Sequence, residues 1–273
     1  MHANETVALV TGASSGIGEA AARRLAREPG MRLVLVARRE ERLRALAGEL
    51  PAPATWVATD LTDEDAPQRV LAHVEEQCDG LALLVNNAGA GWRGAFGETG
   101  YETVRRAMEL NFDAAVRLTE ALLPALRASA PSAIVNVAST SARVARGGAG
   151  AYSASKFALA GWSDSLFAEE KPHGVHVGLV LPGFIKTEGF PATELRERAL
   201  TRWIVSKPEK VAEAIVETGL RGKAERYVPR PYALAAYARI LFPGLTRRVL
   251  SGGSAAALTT STATDATDRE SSA

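Results

Sequence analysis

Short apolar, largely β-branched runs alternate along this chain with longer segments of helical period, and that alternation admits few folds. The runs predict strands at Thr6–Val10, Arg32–Ala37, Thr55–Ala58, Leu81–Asn86, Ser132–Val137, Val175–Leu181 and Arg226–Val228. Amphipathic segments between them predict helices at Gly16–Arg27, Glu40–Leu50, Glu64–Glu76, Tyr101–Asn111, Asp113–Ala128, Ala151–Glu170 and Pro208–Leu220. A strand such as Leu33-Val34-Leu35-Val36-Ala37, apolar at every position, is buried on both faces. The expectation is an α/β protein in which crossover helices cover both faces of a seven-stranded parallel sheet.

Composition narrows the function. A net charge of +1 over 273 residues argues against a polybasic nucleic-acid binder. Cys78 stands alone, so an intramolecular disulfide is impossible, as suits a reducing compartment. No apolar stretch approaches a membrane span, and Met1–Thr6 lacks the pattern of a signal peptide. A cytoplasmic protein is expected, with residues 1–250 as a single domain. Two segments depart from the alternation. Residues 183–206 form a long apolar connection with the character of a lid, and 251–273, mostly Ser, Thr, Ala and Gly, is expected to be disordered.

Thr11-Gly12-Ala13-Ser14-Ser15-Gly16-Ile17-Gly18 ends the first strand and opens the first helix. Glycines there let the backbone approach a pyrophosphate, whose charge faces free N–H groups at the positive end of the helix dipole. A glycine trio alone is weak evidence; its position makes it a dinucleotide-binding signature. With Asn86-Asn87-Ala88-Gly89, Asn111, Ser139, Tyr152-Ser153-Ala154-Ser155-Lys156, Pro182-Gly183 and Thr187 following in order, the chain resembles the short-chain dehydrogenase/reductase family. The resemblance implies a Rossmann-type doubly wound sheet and an NAD(P)-dependent oxidoreductase.

Tyr152 and Lys156 are four apart near a helix start, so they share a face. A nearby ammonium and the helix dipole both favour phenolate, which predicts a phenol more acidic than the usual pKa near 10. The pair is a candidate proton donor and acceptor. Ser139, at the carboxyl end of strand five, is placed to hold a carbonyl oxygen, with Ser141 as its rival for that role. The resemblance assigns the same roles, adds that Lys156 binds the nicotinamide ribose, and gives Asn111 a relay water; in isolation Asn111 reads as a helix C-cap.

Arg38, twenty residues past Gly18, and Arg39 stand where a carboxylate would select NAD, so NADP(H) is favoured, with NAD(H) as the other option. Resemblance places Asp60-Leu61 at the adenine, although Asp60 also suits a helix cap, and places Pro182-Gly183 and Thr187 at the nicotinamide. Asn87, Ala88 and Gly89 supply small residues beside the cofactor. No metal is expected.

Trp92, Phe96, Val144, Phe184, Phe190, Trp203 and Ile204 are the expected substrate wall, suited to an apolar ketone, aldehyde or alcohol. No fixed basic residue stands out for a carboxylate, Lys186 reading as an exposed lid lysine. Small residues Ala151, Ala154, Ala158 and Gly161 line the Tyr152 helix, and the resemblance implies a homodimer or homotetramer through it. The apolar helix 231–250 is expected to pack on the lid, with a subunit contact or a membrane surface as alternatives. The rival function is a non-catalytic NADP(H)-binding sensor or scaffold, whose signature would be a lost Tyr or Lys.

Overall fold

The computed structural model describes residues 5–186, 188 and 205–251. Seven parallel strands form the main sheet: β1 (Thr6–Thr11), β2 (Met31–Ala37), β3 (Ala54–Ala58), β4 (Leu83–Asn86), β5 (Ser132–Val137), β6 (Val175–Pro182) and β9 (Glu225–Val228). Their order is β3-β2-β1-β4-β5-β6-β9, so the winding reverses between β1 and β4. A crevice at the carboxyl ends of strands flanking such a reversal is where open α/β sheets take ligands.

Period-two alternation sorts each strand's side chains between two cores. Ala8, Val10, Leu33 and Leu35 pack beneath α1 (Gly16–Leu25), α2 (Glu40–Glu49) and α7 (Pro208–Gly219). Val7, Leu9, Val34 and Val36 pack against α3 (Ala66–Gln77), α5 (Ala114–Ala128) and α6 (Gly150–Glu170). Burying one such leucine or valine contributes about 1.5–3 kcal/mol, so register is strongly specified on both faces.

A buried polar network ties α6 to the sheet. Asn86 Nδ2 donates to Asn136 Oδ1 (2.9 Å) and Thr119 Oγ1 (3.0 Å), and Asn136 Nδ2 donates to Ser163 Oγ (2.8 Å). This cross-link of β4, β5, α5 and α6 sets the height of the helix bearing Tyr152 and Lys156.

Three expectations change in detail. Helix α4 runs from Phe96 to Met108, earlier than the predicted start at Tyr101, but Gly100 (φ 63°) interrupts it just before that residue. Its end is not a cap at Asn111: Glu109–Asp113 forms a π-helical turn that continues into α5, a feature that recurs at functional sites. The apolar stretch 231–250 is two helices, α8 (Tyr232–Leu241) and α9 (Pro243–Ser251), because Pro243 cannot continue the first. Of its side chains Ala236 is buried and Tyr232 half-buried, while Leu234, Tyr237, Ile240, Phe242 and Leu245 stand exposed. No helix among the described residues is long and apolar enough to cross a membrane.

The two described ends of the long connection 183–206 pair as short parallel strands, β7 (Phe184–Ile185) with β8 (Val205–Ser206). Thr187, Phe190, Trp203, Ile204 and the tail 252–273 lie outside the described residues.

Candidate active site

The glycine loop leaves β1 through Gly12 (φ 65°) and enters α1 at Gly16 (φ 59°), conformations that L side chains resist. Gly18 is required for a different reason: a Cβ there would lie 2.6 Å from the Gly12 carbonyl carbon and 2.7 Å from Asn87 Nδ2. Thr11 Oγ1 accepts from the backbone N–H groups of Asn87 and Ala88 at 2.9 Å each, and Asn87 Nδ2 donates to the Thr11 carbonyl (2.8 Å). The Asn87-Ala88-Gly89 segment is thereby pinned against the loop across the winding reversal. Ser15 occupies the N-cap of α1 without capping it through its side chain. The first N–H groups of the helix therefore remain directed at the crevice, beside the half-buried Ile17.

Arg39 lies over this loop. Its Nη2 donates to Ser15 Oγ (2.8 Å) and Ser14 Oγ (3.1 Å). Arg38 Nη1 stands 3.5 Å from Asp60 Oδ2, whose other oxygen accepts from Thr62 N (3.0 Å) and Thr62 Oγ1 (2.8 Å). These bonds, with Arg38, hold the Asp60 carboxyl below its ordinary range despite its burial. Asp60 is not the cap of α3, which begins at Ala66; it closes its own turn next to the buried Leu61. Arg42, which the sequence reading missed, joins the group: Glu188 bridges Arg42 (2.7 Å) and Arg39 (3.5 Å). Its only signal was a position one helical turn beyond Arg38.

Deeper in the crevice, Gly89 is the meeting point. A Cβ on it would lie 2.6 Å from Asn111 Oδ1 and 3.3 Å from Lys156 Nζ, so two distant elements converge on one backbone atom. Asn111, buried in the π-helical turn, accepts from Ala90 N (2.9 Å) and donates to Ala90 O and Ser155 Oγ (3.0 Å each). Ser155 Oγ donates in turn to the Tyr152 carbonyl (2.9 Å). Ser139 Oγ donates to Pro182 O (3.3 Å) and accepts from Ser141 N (3.1 Å). Of the two rival serines it is Ser139 whose hydroxyl acts on the Tyr152 phenol.

The acidity of that phenol differs from the sequence expectation. Burial of the phenol end pushes the Tyr152 pKa up, and the Ser139 hydroxyl and the Arg146 charge oppose it only in part. Lys156 does not drive the shift, because its Nζ donates instead to Val137 O (3.0 Å). A shared helix face puts the two Cβ atoms on one side, but the lysine's ammonium ends on a carbonyl of β5.

Burial also lowers Lys156 from 10.5 to about 8. Burying the ammonium destabilises the fold in full below that value; the cost fades as pH rises towards 10.5, where the unfolded lysine also loses its proton. Wild-type stability should thus climb relative to Lys156→Met by roughly 2 kcal/mol between about pH 7.5 and 9.5 in urea unfolding. Parallel stability curves would contradict this.

Two further residues converge here without sequence warning. Gly183 packs under the Tyr232 ring: a Cβ on Gly183 would lie within 3.0 Å of three ring carbons. Burial pushes the Tyr232 phenol up to about 12. Arg146 stacks over Phe184 with its guanidinium carbon 4.6 Å from the ring centre. Of the expected wall, Trp92, Val144 and Phe184 are half-buried, whereas Phe96 is 70% exposed. Lys186 is exposed, as expected.

A doubly wound parallel sheet with a glycine loop at its winding reversal, and Asn, Ser, Tyr and Lys gathered beside it, defines a nucleotide-dependent oxidoreductase domain. The short chain dehydrogenase family profile matches residues 6–197. Dehydrogenase/reductase SDR family member 7B of Bos taurus is 31% identical over 267 residues, 92% of this chain and 82% of the relative. A short-chain dehydrogenase from Streptomyces avermitilis superposes with TM-score 0.76 at 30% identity, over 94% of this chain and 99% of that one. A short chain dehydrogenase from Burkholderia cenocepacia, solved in complex with NADP, gives 0.73 at 28% identity, over 82% and 95%. The chain belongs to the short-chain dehydrogenase family, whose members bind NAD(P).

Proposed function

We propose that the protein is an NADP(H)-dependent oxidoreductase that interconverts a largely apolar ketone or aldehyde with its alcohol. The observation that carries this reading is the convergence of Ser139, Tyr152, Lys156 and Asn111 next to a loop in which Gly12 and Gly18 leave no room for a side chain.

The chain fits the dinucleotide. The α1 N-terminus and glycine loop would hold the pyrophosphate, Arg38 and Arg39 the 2′-phosphate, Asp60 and Leu61 the adenine, and Asn87–Gly89 with Pro182 and Gly183 the nicotinamide half. When bound, NADP(H) supplies or accepts the hydride.

The chain's residues manage position and one proton. The Ser139 hydroxyl orients the substrate oxygen beside Tyr152, whose raised pKa keeps the phenol protonated and ready to donate to that oxygen during reduction. Lys156, with a pKa of about 8, exchanges protons near neutral pH and stands beside Asn111, a pair suited to restoring the tyrosine's proton. In oxidation the same groups run in reverse.

The test is a panel of ketones, aldehydes and secondary alcohols followed at the nicotinamide absorbance with NADPH and NADH in parallel. Turnover favouring NADPH is expected; tight NADPH binding without turnover of any compound would replace the enzyme by the sensor reading. We also propose self-association through α6, whose outer face leaves Ala154, Phe157 and Gly161 exposed. Light scattering should give a dimer or tetramer for the wild type and smaller species for Phe157→Arg; a monomeric wild type would end the idea.

A further inference from the structure

We infer that Arg146 is an anion-binding position inside the substrate site, so that the carbonyl or alcohol presented to Tyr152 carries a carboxylate on its apolar body. This deepens the functional reading above and rests on it.

Placement comes first. Arg146 belongs to the segment between the 3₁₀ turn Thr140–Ala142 and α6, six residues before Tyr152. Gly94 N donates to Gly148 O (3.0 Å), joining this segment to the loop that bears Arg93. The guanidinium lies against Phe184, which follows Pro182 and Gly183, and the Pro182 carbonyl accepts the Ser139 hydroxyl. Arg146 therefore sits on the Ser139–Tyr152 side of the crevice, apart from Arg38 and Arg39, to which the 2′-phosphate is assigned.

Charge balance is the second observation. Arg143, three residues earlier, is neutralised by Glu225 at 2.8 Å. Arg146 has no carboxylate partner among the described residues. Its charged form is penalised by desolvation and by the nearby Arg93, and among the described residues the phenols of Tyr232 and Tyr152 favour it. A cation–π contact with Phe184 returns part of the lost hydration, whereas a desolvated guanidinium is compensated fully only by an anion. A carboxylate matches the guanidinium fork with two parallel hydrogen bonds, and Phe184 against the guanidinium, with Tyr232 over Gly183, offers apolar surface to the remainder. No local pattern marks this position: nothing in a glycine-rich stretch says that its arginine stacks on Phe184.

The experiment compares straight-chain oxo acids with their methyl esters, using NADPH and the wild type, Arg146→Leu and Arg146→Lys. The wild type should prefer the acid over its ester by roughly 10- to 100-fold in kcat/KM, the range of a charge-assisted pair. Arg146→Leu should abolish the preference and Arg146→Lys keep part of it. The acid-to-ester ratio is the readout, since any change in Tyr152 acidity affects both compounds alike. In parallel, hexanoate should raise the Tm of NADP⁺-loaded wild type but not of Arg146→Leu. Equal rates for acids and esters, unchanged in Arg146→Leu, would overturn the carboxylate assignment and leave the oxidoreductase reading intact. Failure of every compound while NADPH binds would overturn the oxidoreductase reading, and the hexanoate shift would then decide the anion site: a shift abolished by Arg146→Leu upholds it, and no shift rejects it.

Discussion

Tyr152→Phe should lower turnover by about 10²–10⁴-fold, the usual worth of a positioned general acid, while NADPH affinity stays within a fewfold of wild type. The two effects separate because different parts of the chain produce them. Glycine loop, α1 N-terminus and Arg39 all lie at or near the carboxyl ends of β1 and β2, and none touches the phenol through a described contact. Removing the hydroxyl takes away the proton held above neutral pH by burial, together with the group on which Ser139 acts. It leaves the Asn111–Ser155 and Lys156–Val137 hydrogen bonds in place, because these end on other atoms. Ring volume is conserved, so stability should be nearly unchanged. Single-turnover rates and a nicotinamide fluorescence titration on the same preparation check both halves. Turnover within about tenfold of wild type would remove Tyr152 from the chemistry.

The double variant Arg38→Ala, Arg39→Ala should raise KM for NADPH about 100-fold and leave KM for NADH within a fewfold. Arg39 is already oriented by Ser14 and Ser15, so little side-chain entropy is lost when it meets a phosphate. Arg38 stands 77% exposed next to Asp60 and adds charge rather than a preset geometry, which makes Arg39 the larger contributor. Truncating Arg39 also removes its bonds to the loop, and the NADH measurement isolates that loss: a damaged loop raises both KM values together. Parallel increases for the two cofactors would therefore defeat the 2′-phosphate assignment. Salt should weaken NADPH more than NADH in the wild type, since the discriminating groups are exposed enough to be screened.

Much of this was legible in one dimension. Unbroken apolar runs, as at Leu33–Val36, marked strands buried on both faces, and the glycines at 12, 16 and 18 marked a bend before a helix that the structure places at the winding reversal. Asn111 was found, but its setting was misjudged. A lone asparagine between two helical patterns looks like a cap, whereas a π-helical turn needs no local signal beyond helix formers on either side. Arg42, Arg146 and Tyr232 were not expected beside the crevice for one shared reason: each comes near it from a segment whose direction is set by packing against distant elements.

Local periodicity and backbone stereochemistry are short-range properties, so the sequence by itself determined the strands, the crossover helices, the glycine bend after β1 and the spacing of Tyr152 from Lys156. The direction of the Tyr152 shift and the placement of Arg146 against Phe184, with no carboxylate partner among the described residues, were decided only by tertiary structure. Desolvation and Coulomb interaction sum over every group nearby in space, and Ser139, Arg93, Phe184 and Tyr232 become neighbours of these side chains only once the sheet is wound.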